Sequence, residues 1–263
     1  MAVRNRMDSA VLDRILVGVG LIAAWFAASA YFGQYWASSP LRVADRIVDW
    51  IASGELLYQS KYTLGALAVG IACGVIPGAV LPFLLRRMPV ADAILAPYFV
   101  GGYSMPKLAL VPLFIVWFGV GIWPKVALVA AVCFFISFFN AQAGIRSVNP
   151  QLIRMAEISG ANEASVGRKV ILPAALPFIF SGIRVAIPFA VGGMVVAEML
   201  SANRGMGYLI QSASMNFDAT GSFAGIVVVA IYVATISAVL SRVERKIFGW
   251  RPKAFSLAAK EAI

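Results

Sequence analysis

Three ionisable residues interrupt long apolar stretches of this 263-residue chain: Lys107, Arg184 and Glu198. Charged side chains are costly in the interior of a membrane, so residues of this kind are candidates for function by default. Two cations beside a path across a membrane would suit an anionic solute. The alternative is a structural role, in which the cations pair with Glu198 or with backbone carbonyls freed near prolines. Arg184 lies about 11 residues into its apolar stretch, which at about 1.5 Å per residue predicts a position near mid-membrane.

The chain lacks the residues on which most catalytic and metal-binding sites depend. It has no histidine and two cysteines, Cys73 and Cys133, each inside an apolar run, and we interpret both as small core residues. No GxxxxGK[ST], HExxH, CxxC or GxSxG motif occurs. The sequence therefore predicts no catalytic residue, no metal site and no cofactor bound by this chain, and an enzyme is the weakest hypothesis.

The composition identifies the elements that must position the three ionisable residues. Hydrophobic residues make up 61% of the chain and charged residues 13%, and the mean hydropathy is +0.85. Soluble domains are usually about 45–50% apolar and about 25% charged. The sequence therefore predicts an all-α integral membrane protein, with residues 1–263 forming a single transmembrane domain.

Six apolar stretches are long enough to cross a membrane, since a hydrocarbon core about 30 Å thick requires roughly 20 residues of helix. They cover approximately residues 15–32, 64–85, 93–118, 123–139, 174–200 and 223–240. Pro106 and Pro112 are expected to interrupt the third. Breaks of this kind are tolerated where neighbouring protein or a water-filled path satisfies the freed carbonyls, although a merely kinked helix is an equal expectation.

The placement of basic residues predicts the orientation. With the N-terminus inside, the cytoplasmic segments hold 15 of the 22 basic residues: Arg4, Arg6, Arg14, Arg86, Arg87, Arg146, Arg154, Arg168, Lys169, Arg242, Arg245, Lys246, Arg251, Lys253 and Lys260. The outer segments hold five: Arg42, Arg46, Lys61, Lys125 and Arg204. By the positive-inside rule both termini are cytoplasmic. The net charge of +10 therefore reflects topology, and no nucleic acid partner is expected.

Two further patterns predict packing. The outer loop, about Gly33–Tyr62, mixes aromatic and charged residues and is expected to lie along the membrane interface as an amphipathic segment. Gly70, Gly74 and Gly78 repeat every fourth residue, which gives one helix a face without side chains. Such a face permits close contact with another helix in a membrane.

The longest cytoplasmic segment, residues 140–172, carries signals for short helices. Asn149-Pro150 is typical of an N-cap followed by proline at the first helical position, and Gly160 is typical of the residue that follows a helix. Between them, small and apolar residues recur at three- and four-residue spacing: Leu152, Met155, Ala156 and Ser159. A capped surface helix with such a face fits a groove on another protein, although it could equally rest on its own bundle or on lipid headgroups.

A second short helix is expected to begin at Asn162-Glu163 and to carry Arg168 and Lys169 in its last turn, where they would interact favourably with the helix dipole. Pro173 then leads into the fifth span.

This loop resembles the EAA signature of permease subunits of ATP-binding-cassette (ABC) importers. That signature reads Glu-Ala-Ala, three residues, Gly, nine residues, then Ile-x-Leu-Pro. The matching positions are Ala156, Gly160, Val170, Leu172 and Pro173. Arg154 stands where the signature has Glu and Met155 replaces the first Ala, while Glu157 lies nearby at a different position. The resemblance therefore carries over the geometry of the loop and not any contact made through that Glu.

Three other stretches are similar to the branch of this family that handles nitrate, sulfonates, taurine and related small solutes: MPKLALVPLFIVWFGVG (105–121), LPAALPFIFSGIRVAI (172–187) and VVAEMLSANRGMGYLI (195–210). The resemblance implies a type I importer permease fold, with six transmembrane helices and a cytoplasmic coupling helix, in the bacterial inner membrane. It also implies a homodimer, an ATPase subunit that carries ATP and magnesium, and an extracytoplasmic solute-binding protein. The residues implied to dock the ATPase are Asn149, Pro150, Leu152, Arg154, Met155, Ala156, Glu157, Ile158, Gly160 and Ala161.

Two hypotheses compete with the importer permease. A stand-alone secondary transporter or channel would need its own coupling site and usually shows an internal duplication, for which the two halves give no convincing sign. A membrane scaffold or enzyme has no catalytic constellation to support it. The solute is expected to be small and anionic because of the two cations, although the resembling branch also includes permeases for neutral vitamin precursors.

Overall fold

The computed structural model describes residues 2–248, apart from Gln34 and Ala202. For residues 2–12 and 14 it describes the backbone alone. Of the basic residues that predict the orientation, Arg251, Lys253 and Lys260 lie outside the described residues, as do the side chains of Arg4, Arg6 and Arg14.

All regular structure in the described residues is helical. The α-helices are α1 (Ala2–Phe32), α2 (Pro40–Ala52), α3 (Glu55–Leu85), α4 (Pro89–Ser104), α5 (Val111–Phe118), α6 (Trp123–Arg146), α7 (Pro150–Ile158), α8 (Glu163–Val166), α9 (Leu172–Ser201), α10 (Met206–Met215) and α11 (Ala219–Ile247). A 3-10 turn (Lys107–Leu110) precedes α5, and a π-helical turn (Gly167–Ile171) joins α8 to α9.

The chain divides into two compact units. The first comprises residues 1–64 and 198–229, and the second comprises residues 65–197 and 230–263. Three helices, α3, α9 and α11, contribute residues to both units.

Five helical segments in the described residues are long and apolar enough to cross a membrane: Ile15–Phe32, Glu55–Leu85, Trp123–Arg146, Glu163–Ser201 and Ala219–Ile247. A sixth candidate consists of α4 and the segment Lys107–Phe118, which meet at an angle of 88°. The all-α membrane fold expected from the sequence is therefore confirmed, with five or six spans.

The third predicted span, residues 93–118, is bent at one point and not at two. The break lies at Met105-Pro106, between α4 and the 3-10 turn. Pro112 does not interrupt the chain, because it lies in the first turn of α5, where its missing N–H would have no helical partner. Pro77, Pro82, Pro177 and Pro188 likewise lie inside continuous helices.

The glycine face predicted on the second span contacts α6. A Cβ atom placed on Gly70 would lie 2.7 Å from Val129 Cβ, and one on Gly74 or Gly78 would overlap the backbone oxygen of Ala130 or Phe134. The two helix backbones therefore approach more closely than any side chain at these positions would allow. This packing confirms the prediction from four-residue spacing.

In the first unit, α2 is the amphipathic segment predicted in the outer loop. Its residue Val43 is buried, while Arg46 forms an ion pair of 2.6 Å with Asp218 at the start of α11. Just before α2, Ser38 and Thr220 share a hydrogen bond of 2.8 Å between their hydroxyl groups. These contacts attach α2 to the beginning of α11 within the same unit.

Candidate functional site

The loop helix α7 is capped at both ends by the residues that the sequence indicated. The Asn149 side chain accepts a hydrogen bond of 2.9 Å from the Gln151 N–H, and Pro150 takes the first helical position. At the other end Gly160 has a φ angle of +83°. The Gly160 N–H donates to Glu157 O and the Ala161 N–H donates to Ala156 O, at 2.9 and 3.0 Å. This bond pair is a Schellman motif, so the predicted caps are confirmed.

The inner side of α7 rests on a small apolar cluster of the same loop. Val148, Val166 and Ile171 are buried at its centre, and Ile153 and Ala156 of α7 pack against them. The loop therefore has a core of its own, which holds α7 in place without covering its outer side.

The outer side of α7 is apolar and exposed. Leu152, Met155 and Ile158 are 52%, 65% and 87% exposed and together form an apolar patch. Arg154 and Glu157 are exposed beside them. The predicted face needs one correction: Ala156 points into the loop cluster, and Ile158 occupies the outer face. Ala156 and Ala161 are joined by a backbone bond of the Schellman motif, and an apolar contact between the residues at these two positions often accompanies that motif; both pack against the cluster.

The second loop helix begins as predicted but ends earlier. The Asn162 side chain accepts a hydrogen bond from the Ser165 N–H at 2.9 Å, and α8 extends only from Glu163 to Val166. Arg168 and Lys169 therefore do not lie in its last turn; they lie in the π-helical turn that continues into α9. The Leu172 N–H donates to Gly167 O five residues earlier, which keeps the chain helical through the junction.

Lys107 lies at the bend between α4 and the 3-10 turn. Its ammonium group donates hydrogen bonds to the backbone oxygen atoms of Tyr103 and Met105, at the end of α4. It also lies 5.2 Å from the ring centroids of both Tyr103 and Phe135. The last carbonyls of a helix lack helical partners, so the lysine caps α4 at the break. This is the carbonyl pairing that the sequence left open as a structural alternative.

Arg184 forms an ion pair with Glu244 of α11. Glu244 lies in the charged last turn of that helix, beside Arg245 and Lys246. Arg184 is therefore level with the charged end of α11, and not with its apolar middle as the mid-membrane estimate implied.

Glu198 is 1% exposed and accepts hydrogen bonds within the first unit. The Thr63 hydroxyl donates to its two carboxylate oxygens at 2.9 and 3.0 Å, and the Gly207 N–H donates to Oε2 at 2.8 Å. The Met206 N–H donates to Thr63 Oγ1 at 2.9 Å. Because Met206 and Gly207 begin α10, the pair Thr63 and Glu198 satisfies N–H groups that have no partner within the helix.

Two residues of this network escaped the sequence analysis. Gln59 accepts a hydrogen bond of 2.6 Å from the Gly205 N–H, and Thr63 binds Glu198. Both precede the predicted second span, which was expected to begin at Leu64, whereas α3 begins at Glu55. Their four-residue spacing immediately before an apolar run is the signal that could have placed them on one face of a helix.

Beside this network lies an exposed aromatic and cationic group. The Arg204 guanidinium donates to the Tyr62 hydroxyl at 2.6 Å and lies 5.1 Å from the Tyr62 ring centroid and 5.9 Å from that of Tyr58. Arg204 belongs to the stretch SANRGMGYLI (201–210), whose two glycines, Gly205 and Gly207, are compatible with an outer gate, a re-entrant turn or a plain loop. In the structure this stretch ends α9, makes a short turn and begins α10.

Comparison with known proteins agrees with this architecture. Residues 66–248 match the family of binding-protein-dependent transport system inner membrane components. The chain belongs to this family. The formylaminopyrimidine transport permease protein ThiX of Halalkalibacterium halodurans is 29% identical, with 92% of this chain and 97% of that protein aligned. The taurine transport system permease protein TauC of Escherichia coli is 32% identical, with 72% and 68% aligned.

A solved structure supports the same fold. An inward-facing structure of the MetNI methionine ABC transporter matches with a TM-score of 0.62 at 17% identity, covering 74% of this chain and 98% of the matched chain. The type I ABC importer permease fold is thus confirmed. The protein is a multi-pass membrane subunit of an ABC importer for small solutes, of a non-catalytic kind, and a stand-alone transporter is not favoured.

Proposed function

We propose that the permease docks an ATPase subunit through the outer face of α7, defined by Leu152, Met155 and Ile158. The observation that carries the proposal is the exposure of these three apolar side chains on a helix that is capped at both ends and supported from within. Apolar anchors on one side of a short helix fit a groove on a partner protein.

The ATPase would hold ATP and magnesium, and its closure would move α7. Because α7 packs on Val166 and Ile171 through Ile153 and Ala156, a displacement of the helix reaches the π-helical turn that begins the long segment ending at Ser201. Arg154, which stands where the EAA signature has Glu, does not affect this transmission of movement. It is exposed, and the packing of α7 on the loop cluster is made by other residues.

The test is copurification of the tagged permease with its ATPase from the native host in mild detergent. The double variant Met155→Asp and Ile158→Asp is expected to lose the ATPase, because two carboxylates cannot enter an apolar groove without a large desolvation cost. The matched control is Met155→Leu with Ile158→Leu, which keeps both apolar anchors and should keep the partner. Retention of the ATPase by the aspartate variant, with an unchanged elution volume, would refute the docking face.

The complete transporter is proposed to contain two copies of this chain, with both termini cytoplasmic in the bacterial inner membrane, and an extracytoplasmic binding protein that delivers the solute. The distribution of basic residues supports the orientation, and the family supports the partners. Stimulation of ATP hydrolysis by a solute-loaded binding protein is the measurement that identifies the solute, because the binding protein is expected to select the solute.

The translocation path is proposed to include Lys107, with Arg184 and Glu198 as further candidates, and the solute to be a small anion of the sulfonate, taurine, nitrate or aromatic carboxylate type. Lys107 supports this best, because it lies at the bend and is only half-buried. Arg184 and Glu198 have polar partners that would also explain them structurally.

Transport assays separate these roles when a panel of sulfonates, carboxylates and uncharged pyrimidines is offered to the reconstituted transporter. We expect Lys107→Gln to lower transport of the anionic members about tenfold, by loss of one favourable charge interaction of about 1.4 kcal/mol. Uncharged members and the variant Lys107→Arg should be affected little. An equal loss across the whole panel would instead assign Lys107 to capping α4.

A further inference from the structure

A cavity of about 340 Å³ lies in the second unit, between the end of α3 and the α8–α9 junction. Its apolar wall includes Val80 and Phe83 of α3 and Leu172 and Ile179 of α9. Both helices belong to candidate membrane spans, so this wall faces the depth at which lipid acyl chains lie. The volume is within the range of pockets that hold small-molecule groups.

One end of this cavity is strongly basic. Arg86, Arg87 and Arg168 line it, and the guanidinium groups of Arg86 and Arg87 both lie over Gly167, within 3.9 Å of where its Cβ would be. Glu163 forms an ion pair with Arg86 and a longer one of 3.9 Å with Arg87 Nε. Three cations thus face one carboxylate, which leaves two positive charges at the rim.

One polar group at this rim is buried without a partner. The Nε atom of Arg86 is inaccessible to solvent and donates no hydrogen bond to any described residue, while only 22% of the Arg86 side chain is exposed. A buried donor without an acceptor is costly, so an additional anionic partner for Arg86 at this rim would be favourable.

We infer that the cavity binds an anionic phospholipid. The lipid would belong to the leaflet on the same side of the membrane as the coupling loop, residues 140–172. Its phosphate would lie at the arginines and the start of an acyl chain against Val80 and Phe83. The combination of an apolar wall and an excess of guanidinium groups matches both parts of such a lipid. The inference rests on the proposed orientation only in assigning this leaflet to the cytoplasmic side, and it does not require the ATPase.

The lipid would act on the junction that links α7 to α9. Glu163 begins α8 and Arg168 lies in the π-helical turn, so a phosphate that binds Arg168 and Arg87 holds this junction against the end of α3. The site is therefore placed where the membrane could influence the coupling loop.

Native mass spectrometry of the full-length permease tests the inference. The permease is incubated in detergent with dioleoylphosphatidylglycerol or dioleoylphosphatidylcholine, and the lipid that stays bound after the detergent is removed is measured. The wild type should retain phosphatidylglycerol in preference to phosphatidylcholine. The variant Arg87→Gln with Arg168→Gln should lower the affinity for phosphatidylglycerol about 25-fold, since each basic residue near an anionic lipid contributes about a factor of five. The matched control is Arg245→Gln with Lys246→Gln, which removes the same charge outside the cavity and should retain the lipid.

The apolar wall is tested separately by Val80→Trp, which fills the cavity and should also lower lipid retention. If the cavity variant and the control at Arg245 and Lys246 lose equal amounts of bound phosphatidylglycerol, net charge alone would explain the loss, and the inference would be overturned. Displacement of the lipid by millimolar inorganic phosphate, with no effect of Val80→Trp, would overturn it in favour of a free phosphate site. Loss of the ATPase from the cavity variant with lipid binding unchanged would make the arginines a protein contact instead.

Discussion

The network around Glu198 and the outer face of α7 reverse the usual placement of polar and apolar residues. A carboxylate is 1% exposed in the first, whereas Ile158 is 87% exposed in the second. In the network, the Glu198 carboxylate accepts hydrogen bonds from Thr63 and from the start of α10, so this buried group is stabilised within the chain. The outer face of α7 is apolar and exposed instead, and we therefore propose a structural role for the first region and a binding role for the second.

The largest expected effect follows from removing the buried acceptor. Glu198→Ala leaves the Gly207 N–H and the Thr63 hydroxyl without the oxygen atoms that they bind, and should lower the free energy of unfolding by about 3 kcal/mol. Thermal unfolding in detergent, followed by tryptophan fluorescence, measures this. Glu157→Ala, which removes an exposed carboxylate from α7, is the control and should unfold like the wild type. If the two variants unfold alike, the network is not structural.

A smaller loss is expected from Gly205→Ala. Gly205 has a φ angle of +107°, and a Cβ there would overlap the Glu198 carboxylate, so both backbone strain and displacement of Glu198 should destabilise the fold, by about 2 kcal/mol. Gly54→Ala is a matched control, because Gly54 also has a positive φ angle of +77° but open space around it. At Gly54, backbone strain alone should lower the free energy of unfolding by about 1 kcal/mol. Equal effects at the two glycines would show that contact with Glu198 contributes nothing.

The smallest effect concerns the cap of α7. Asn149→Ala removes the acceptor for the Gln151 N–H and should cost about 1 kcal/mol of helix stability, which frays the docking face. We expect an approximately fivefold weaker affinity for the ATPase in a titration of detergent-solubilised permease, with the overall unfolding temperature nearly unchanged. Gln151→Ala, an exposed change in the same turn, should bind normally. A large fall in unfolding temperature for Asn149→Ala would instead make α7 part of the structural core.

Much of the architecture could be predicted because its causes are local. Apolar runs of span length, the Asn149 and Gly160 caps and the four-residue spacing of Gly70, Gly74 and Gly78 each express a property of neighbouring residues, and the structure agrees with them. Helix ends were predicted less well. The apolar stretch predicted as the second span begins at Leu64, whereas the helix that contains it begins at Glu55, because a helix continues through polar residues when tertiary contacts satisfy them.

The sequence by itself determined that this is a helical membrane protein with a capped, polar loop, since hydropathy and caps need no knowledge of distant residues. Only the tertiary structure decided which partner each ionisable residue has: backbone carbonyls for Lys107, Glu244 for Arg184 and the start of α10 for Glu198. The same holds for α7, where packing against the loop cluster turned Ala156 inward and left Ile158 outside. These choices depend on contacts between residues up to 135 positions apart, which spacing along one chain does not encode.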